Sequence, residues 1–197
     1  MRAWQPADRA PFAAMNADSR VMEHFPAPYT REQSDAFVDR IEQRWAELGY
    51  GIWAVERRAT GAFIGYVGLA RAIFDAPFTP AVEVGWRLAA EHWGQGFATE
   101  GGKAALEFGF GTVGLAEIVS FTARSNAPSR RVMERLGMVR DPAMDFDHPS
   151  VPEHHPVRPH VFYRITRERW VADGSRYAAS FPGVSDDLPA VWPVRSS

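Results

Sequence analysis

The arrangement of short strand-like segments in the first half of the chain is the feature that most restricts its fold. Three segments rich in β-branched and aromatic residues, Gly51–Arg57, Ala62–Arg71 and Ala81–Ala89, follow one another with short connections. Thr60-Gly61 between the first two is typical of a tight hairpin turn. Strands joined by so few residues run antiparallel, because a parallel return needs a longer crossover. We therefore predict that the sheet begins as an antiparallel meander.

The residues after this meander change to helical spacing. One face of a helix that extends to about Gly111 is lined by Phe97, Gly101, Ala104, Ala105 and Phe108. A strand, a second helix and a last strand follow. This order requires a crossover connection late in the chain. The predicted fold class is therefore α+β, with a mixed, mostly antiparallel sheet and helices on both faces.

The remaining elements are predicted from the same local signals. Thr30 is a good N-cap, and Gly49 a good C-terminal stop, for the helix between them. Gly137 ends a later helix in the same way. Outside the meander we predict a short strand at Arg2–Gln5, helices at Ala7–Met15, Arg31–Leu48 and Asn126–Gly137, and strands at Glu117–Ala123 and His160–Thr166.

Composition and charge exclude several classes of function. The chain has 197 residues, a formal net charge of −2 and no cysteine. A near-neutral chain lacks the basic surface that binds nucleic acid or an anionic membrane. Without cysteine there are no disulfides, no thiolate-zinc sites and no cysteine nucleophile. The charged N-terminus is unlike a signal peptide, and no apolar run reaches the ~18 residues of a membrane span, so we expect a cytoplasmic protein.

The stretch HWGQGFATEGG, residues 92–102, places several glycines where a helix is predicted to begin. A helix N-terminus has about four unpaired backbone N–H groups and roughly half a positive charge. Glycines just before it allow an anion to approach those donors closely. Gly101 and Gly102 inside the helix each cost about 1 kcal/mol relative to alanine, which indicates that the helix lies very close to the sheet. The turn therefore has the features of a phosphate-binding loop.

Other interpretations of this turn compete with phosphate binding. A strand-to-helix loop that only needs close packing would contain the same glycines. A Walker loop is excluded, because no Lys-Ser or Lys-Thr pair follows the last glycine. A dinucleotide fingerprint fits poorly, since its third glycine would fall at Thr99 and its acidic residue at Glu117, before the next strand. Spacing alone leaves packing and phosphate binding equally open.

Three motifs in order give the sequence a resemblance to a known family. Trp93–Ala98 matches the pyrophosphate loop Gln/Arg-x-x-Gly-x-Gly/Ala, with tryptophan at its usually polar first position. NAPSRRVMERLGM, residues 126–138, and VEVGWRL, residues 82–88, match a later helix and the strand before the loop. Over about residues 2–167 the chain resembles the GCN5-related N-acetyltransferase (GNAT) superfamily. Within it, the sequence is similar to the branch of the RimJ/RimL-type ribosomal-protein acetyltransferases.

This resemblance implies acetyl-CoA as the co-substrate and no metal. The pyrophosphate would lie on the backbone N–H groups of Gly94–Thr99. The pantetheine arm would lie in a gap where the strands Val82–Leu88 and Glu117–Ala123 splay apart, and Gly85 would suit a bulge that opens this gap. The residues that the resemblance assigns to acetyl-CoA are Trp86, Arg87, Leu88, Trp93, Gly94, Gln95, Gly96, Phe97, Ala98, Thr99, Asn126, Ser129 and Arg130.

Acetyl transfer to an amine needs groups that move protons. An alkylamine has a pKa of roughly 10, so a proton must leave before the nitrogen attacks. Glu83 is the candidate base that the resemblance implies, although strand alternation could instead turn it outward into solvent. Ser129 is the candidate proton donor to the departing thiolate. Its alternative role is to satisfy backbone groups at a helix start, together with Asn126. A backbone N–H between Gly85 and Leu88 would stabilise the oxyanion.

Two irregular segments are, by the same resemblance, the walls of the acceptor pocket. They are VMEHFPAPYT, residues 21–30, and DFDHPSVPEHHPVRPH, residues 145–160, and a plain connecting loop is the alternative for each. Histidines and aspartates in the second segment could also bind a metal, but no helical pair such as H-E-x-x-H is present. Arg130 and Arg131 are within reach of a CoA phosphate, or are simply solvated.

The acceptor itself is not given by the sequence beyond the expectation of a primary amine, on a protein N-terminus or a small molecule. A CoA-binding sensor without turnover, and a nucleotide- or NAD-binding module, are the rival functions. We predict an acetyltransferase domain over residues 1–170 and a C-terminal arm over residues 171–197. Phe181, Leu188 and Trp192 of the arm could pack on their own domain or in a homodimer.

Overall fold

A seven-stranded mixed sheet forms the centre of the protein in the computed structural model, which describes residues 1–178. In chain order the elements are α1 (Arg9–Ala17), α2 (Arg31–Leu48), β1 (Ile52–Arg57), β2 (Ala62–Ala72), β3 (Ala81–Leu88), α3 (Phe97–Gly111), β4 (Glu117–Ala123), α4 (Ala127–Arg135), β5 (Val139–Arg140), β6 (Phe146–Asp147), β7 (Pro159–Thr166) and α5 (Arg167–Ala178). The strands lie in the order β1-β2-β3-β4-β7-β5, and β6 also pairs with β7.

The first three strands form the predicted antiparallel meander. β3 pairs with β2 from Gly65 opposite Leu88 to Ala72 opposite Ala81. The chain then crosses over through α3, and β4 joins β3 in parallel. All other described pairings in the sheet are antiparallel. The predicted fold class is therefore confirmed.

Helices cover both faces of this sheet, as predicted. Tyr66 and Val67 are neighbours in β2, so their side chains lie on opposite faces. The ring of Tyr66 contacts Phe12 of α1 and Phe37 of α2, with centroids 6.0 and 5.6 Å apart. On the other face, a Cβ added to Gly101 of α3 would lie only 2.9 Å from Val67. Gly101 therefore lies too close to the sheet to tolerate a side chain, as predicted, whereas a Cβ at Gly102 would meet Leu136 after α4 at 2.8 Å and not the sheet.

Some local predictions differ from the structure. The strand predicted at Arg2–Gln5 is a single antiparallel bridge between Arg2 and Ala54. The first helix is divided into a 3₁₀ turn, Pro6–Asp8, and α1. The strands β5 and β6 have only two residues each and were not predicted. The predicted boundary at residue 170 falls within α5, and the division into a domain and an arm stays a prediction. The arm residues Phe181, Leu188 and Trp192 lie outside the described residues.

The sheet splays between β3 and β4. Glu83 and Val119 are the one register pair between the two strands. One residue further on, the hydroxyl of the buried Ser120 donates to the carbonyl of Val84 at 2.9 Å. The predicted bulge at Gly85 was wrong, because the pairing of β3 with β2 passes Gly85 without a register shift. The gap therefore opens because β4 turns away from β3, and not because β3 is interrupted.

Candidate active site

The splayed edge of β3 directs main-chain groups into the gap. The carbonyl of Val84 points toward β4, since it accepts from Ser120. Main-chain directions alternate along a strand, so the N–H and C=O groups of Trp86 and Leu88 point toward β4 as well. Ala89, the next residue, points the opposite way, and its N–H donates to the carbonyl of Ile64 in β2 at 3.0 Å. The gap therefore contains main-chain partners for an extended ligand.

A cleft of about 970 Å³ occupies this gap and extends to the start of α3. The sequence-predicted site residues line it, with the exception of Gln95 and Arg130. Those that line it are Glu83, Trp86, Arg87, Leu88, Trp93, Gly94, Gly96, Phe97, Ala98, Thr99, Asn126 and Ser129.

The glycine-rich turn has a conformation that only glycine adopts easily. Gly94 and Gly96 have φ angles of +72° and +89°, in the left-handed region, and Gly96 is the N-cap of α3. A Cβ at either position would meet no atom within 4 Å, so the space above the turn is open. The indole N–H of Trp93 donates to the carbonyl of Leu88 at 2.8 Å and fixes the turn against the end of β3.

The backbone N–H groups of the turn are unpaired. The first intrahelical bond of α3 runs from Glu100 N–H to the carbonyl of Gly96, at 3.0 Å. Within the described part of the chain, no N–H group of residues 94–99 donates to another residue. These donors surround the positive end of the helix dipole and face open space. The residues present therefore fit a diphosphate, which needs several donors and a close approach.

Glu83 lies on the wall of the cleft, half-buried, at the point where β3 and β4 separate. Its side chain shares a sheet face with Tyr66 and Arg87, so it does not point outward into solvent as the alternative proposed. Burial raises the pKa of Glu83 to about 8. A carboxyl group with this pKa exchanges its proton near neutral pH, which suits a general base.

Asn126 and Ser129 lie together at the start of α4. The Asn126 side chain accepts from the Ser129 N–H at 3.1 Å and donates to the Thr122 hydroxyl at 2.9 Å. Asn126 therefore caps the helix and also fixes it to the end of β4. The half-buried Ser129 lines the cleft, and its side chain is not needed for this cap.

The two arginines at the start of α4 point in different directions. The neighbouring Tyr163 side chain raises the pKa of the Arg130 guanidinium, and the side chain of Arg130 does not line the cleft. Arg131 is exposed and does line the cleft. Of the pair, only Arg131 is placed to reach a bound phosphate group.

Arg87 is buried under the loop between α1 and α2. Its guanidinium lies 4.0 Å from the ring centroid of Phe25 and 5.3 Å from that of Tyr29. Nη1 donates to the side chain of Asn16 at 2.7 Å, and Asn16 donates in turn to Ser34 at 3.1 Å. The side chain of Arg87 therefore holds the loop in place, and its main-chain groups point toward β2, as those of Ala89 do, so neither is directed into the gap that was predicted for the cofactor.

The two irregular segments predicted as acceptor walls both line the cleft. The loop over β3 reaches across it, since His24 Nδ1 lies 3.4 Å from the hydroxyl of Ser125 after β4. On the other side, the rings of His148 and His160 lie 5.0 Å apart, next to Phe121. The cleft therefore has walls contributed by five separate parts of the chain, namely residues 20–33, Tyr66, and residues 83–99, 120–135 and 148–160.

Burial disfavours the charged form of both His148 and His160. Desolvation, together with the nearby His160, lowers the pKa of His148 to about 4, and burial lowers the pKa of His160. His148 Nδ1 accepts from Ser150 N–H at 3.2 Å, and His160 Nδ1 lies 2.9 Å from the carbonyl of Arg158. The metal alternative for this segment finds no support, because residues 1–178 contain no group of three or more His, Asp or Glu side chains placed to bind an ion.

Sequence reasoning missed several polar residues of the site. Asn16, Ser34 and Ser120 are buried and bonded to partners far away in the chain. Tyr66 is buried beside Arg87, and burial raises the pKa of its hydroxyl. Ser120 carried a weak signal, as a hydroxyl between the apolar residues Val119 and Phe121 of β4. The others carried none, because their partners are set by the tertiary fold.

A splayed strand pair next to a helix N-terminus with free amides is the architecture expected of an acetyl-CoA-dependent acyltransferase. Comparison with known proteins gives the family. The model of the acetyltransferase (GNAT) domain matches residues 1–139. The chain belongs to the GNAT acetyltransferase family, and it is an acyltransferase.

Individual relatives agree with this assignment. The chain is 28% identical over 155 residues to an uncharacterized N-acetyltransferase, YnaD, of Bacillus subtilis (strain 168), covering 78% of this chain and 85% of that one. The structure is similar to an acetyltransferase from Agrobacterium tumefaciens, with a TM-score of 0.67, 27% identity, and coverage of 83% and 88%. It shares its fold with the spermidine N-acetyltransferase of Vibrio cholerae in complex with CoA and spermine, with a TM-score of 0.66, 20% identity, and coverage of 86% and 96%. None of the helices within residues 1–178 combines the length and apolar character of a bilayer-spanning segment.

Proposed function

We propose that the protein transfers the acetyl group of acetyl-CoA to a primary amine by direct attack in a ternary complex. One observation carries this proposal: unpaired amides of residues 94–99 and the half-buried Glu83 line the same cleft. The first can hold the diphosphate of the donor, and the second can accept a proton from the acceptor. No residue is acylated in this scheme, consistent with the lack of cysteine.

The donor is proposed to bind along the open edge of β3. The diphosphate would accept hydrogen bonds from the amides of residues 94–99. The pantetheine arm would pair with the main-chain groups of Trp86 and with the N–H of Leu88 in the gap, since the Leu88 carbonyl accepts from the Trp93 indole. Arg131, rather than Arg130, is the side chain proposed to contact a phosphate group.

The acetyl group is thereby brought to the point of splay, beside Glu83. Glu83 removes a proton from the acceptor ammonium, and the amine nitrogen attacks the thioester carbon. The N–H of Trp86, directed into the gap, stabilises the charge that develops on the carbonyl oxygen. A C–N bond forms, the C–S bond breaks, and the thiolate takes up a proton, so the products are an acetamide and CoA.

Ser129 is the proposed source of the proton for the thiolate. A Ser129→Ala variant should lower kcat about tenfold, with little change in the dissociation constant of acetyl-CoA, because the backbone cap from Asn126 remains. Steady-state kinetics and calorimetry on the same preparation measure the two quantities. An unchanged kcat would remove the hydroxyl from the mechanism and leave it a role in the helix start alone.

Calorimetry and an acceptor screen test the function as a whole. We expect heat of binding with acetyl-CoA and CoA and none with NAD, and release of free thiol only when an amine is added. Binding of CoA without thiol release across a broad amine panel would instead support the sensor function. Binding of NAD in preference to CoA would contradict both.

The class of acceptor receives indirect support from the relatives. The Vibrio cholerae neighbour is named for spermidine, a polyamine, and the RimJ/RimL-type branch predicted from the sequence is named for ribosomal proteins. These names support an amine as the acceptor class, but the fold alone is shared at this identity. The choice among amines therefore depends on the side chains around Glu83.

A further inference from the structure

A second cavity opens beside Glu83. It has a volume of about 520 Å³ and shares Glu83, Phe121, His148 and Ser150 with the main cleft. None of its lining residues belongs to the turn at residues 93–99. We call this cavity the side groove. An acceptor whose amine lies at Glu83 can extend its remaining atoms into the side groove without meeting the proposed path of the donor.

One flank of α2 forms a wall of this route. Gln33 lines the main cleft, and Phe37, Arg40, Arg44 and Leu48 line the side groove. Separations of three and four residues place these side chains on the same flank of the helix. Arg40 and Arg44 therefore bring two guanidinium groups to the groove, one helical turn apart.

These two guanidinium groups have no anionic partner. Among residues 1–178, no ion pair joins Arg40 or Arg44 to a carboxylate. Of the acidic residues of α2 near these arginines, Asp39 and Glu42 lie 2.7 and 3.3 Å from Arg9, Asp35 lies 2.7 Å from Arg31, and Glu47 accepts from Gln43 at 2.7 Å. Three of these carboxylates are therefore held by other arginines and the fourth by an amide, and among residues 1–178 neither Arg40 nor Arg44 forms an ion pair with any of them.

A third guanidinium approaches from the sheet. Arg87 is 6% exposed, its Nε is buried without a partner, and its Nη1 is bonded to a neutral amide. It lies 6.0 Å from the ring centroid of Phe37, and Arg40 lies 5.7 Å from the same centroid. A buried cation without a counter-charge is costly, even when aromatic rings surround it. The missing counter-charge can be supplied by a ligand.

The groove itself provides no negative charge to balance these cations. Glu83 is the one carboxyl group among the residues that line it. Burial raises the pKa of Glu83 to about 8, so this group is mostly protonated at neutral pH. An acceptor with additional ammonium groups would meet the guanidiniums that line the groove, those of Arg40, Arg44 and Arg71, whereas an acceptor with carboxylates would neutralise them.

We propose that the acceptor is an amine that also carries carboxylate groups, with its amine at Glu83 and its carboxylates on the guanidiniums of Arg40 and Arg44. The proposal rests on the acetyltransferase function proposed above and names its substrate class. Arg87 contributes positive potential to the same region from beneath Phe37. Free acidic amino acids and peptides with acidic residues after the N-terminal amine both belong to this class, and polyamines do not.

A matched acceptor panel tests the proposal. It contains Ala-Glu-Glu-Glu-amide, the same peptide with glutamine or with lysine in place of glutamate, free glutamate, and spermidine. We expect kcat/KM for the acidic peptide to exceed that for the glutamine peptide about tenfold, since a few exposed ion pairs each contribute only a few-fold. The advantage should shrink at high salt. The ratio between free glutamate and the acidic peptide shows which of the two sources is preferred.

Variants of the groove arginines test whether these side chains cause the preference for the acidic peptide. The double variant Arg40→Gln, Arg44→Gln should bring the ratio of acidic to neutral peptide close to one. Both side chains are at the surface or only partly buried, so the fold should persist. The control is Arg58→Gln, an exposed arginine in the turn between β1 and β2 that lines neither cavity, and it should leave the ratio as in the wild type.

The outcomes separate this proposal from the function on which it rests. Efficient acetylation of spermidine or of the lysine peptide, with the acidic peptide no better than the neutral one, would overturn the acidic acceptor and leave the acetyltransferase standing. If no amine is acetylated, calorimetry of the N-acetylated acidic and neutral peptides with CoA present still decides. Equal affinity for the two peptides would then overturn the proposal, and tighter binding of the acidic one, lost in the double variant, would support it.

Discussion

Replacing Glu83 by glutamine is expected to lower kcat/KM for the acceptor at least about 100-fold, the usual contribution of a general base. The amide is close in size to the carboxyl group but cannot accept the proton of the acceptor ammonium. The dissociation constant of acetyl-CoA should change little, because the diphosphate is proposed to bind at residues 94–99, at the other end of the cleft. Steady-state kinetics and calorimetry on both proteins give the comparison.

The pH profile separates a base from a residue that only supports the structure. Burial raises the pKa of Glu83 to about 8, so the ionised form that acts as a base increases up to that pH. In the wild type, log kcat/KM should rise through pH 7 and lose this slope near pH 8. The glutamine variant should lack that limb. A wild-type profile without an inflection near pH 8, or a variant with full activity, would contradict the assignment.

The Glu83→Gln substitution should lower activity but raise stability at high pH, so a thermal melt serves as its folding control. The neutral form of Glu83 is favoured in the folded protein, so the wild type loses stability as the pH rises from about 4.5 to about 8. Glutamine has no charge to bury. The variant should therefore melt at a higher temperature than the wild type above pH 8, and the difference should vanish below pH 5.

Replacing Thr99 by glutamate is expected to weaken acetyl-CoA binding about 100-fold. Thr99 is the third residue of α3 and lines the cleft. A glutamate here would place a negative charge among the free amides and repel a diphosphate, an interaction of several kcal/mol at a few ångströms near a protein surface. It would not harm the helix, because an acidic side chain in the first turn is favourable to the helix dipole.

The matched control is Thr99→Gln. Glutamine has the size of glutamate without its charge, so it should weaken binding only a few-fold. Calorimetry with acetyl-CoA and a thermal melt on each protein are sufficient. Equal losses in the two variants would show that bulk and not charge is responsible, and an unaffected glutamate variant would place the diphosphate somewhere else.

The parts of the fold that could be predicted are those determined by residues close together in the sequence. α2 begins after Thr30 and ends before Gly49, because the capping box with Gln33 and the left-handed glycine act within a few residues. β4 was predicted with its observed bounds. β5 and β6 were not, since two residues carry no periodicity and depend on pairing with β7.

The site divides in the same way. Its backbone elements, the glycine turn and the strand before it, could be read from spacing, because the physics of a helix N-terminus is local. The direction of a side chain could not. Arg87 was expected at the cofactor, but its guanidinium bonds to Asn16, which lies 71 residues away in the chain. Likewise, nothing in the sequence shows that Arg40 and Arg44 face a groove that ends at Glu83.

A crystal structure with CoA bound tests the central claim most directly, namely that unpaired amides of residues 94–99 hold the diphosphate. We expect diphosphate oxygens within hydrogen-bonding distance, about 2.7–3.2 Å, of several of these nitrogens, with the pantetheine arm against the free edge of β3. A diphosphate held elsewhere by side chains, with the amides of the turn left bonded to solvent, would contradict the claim.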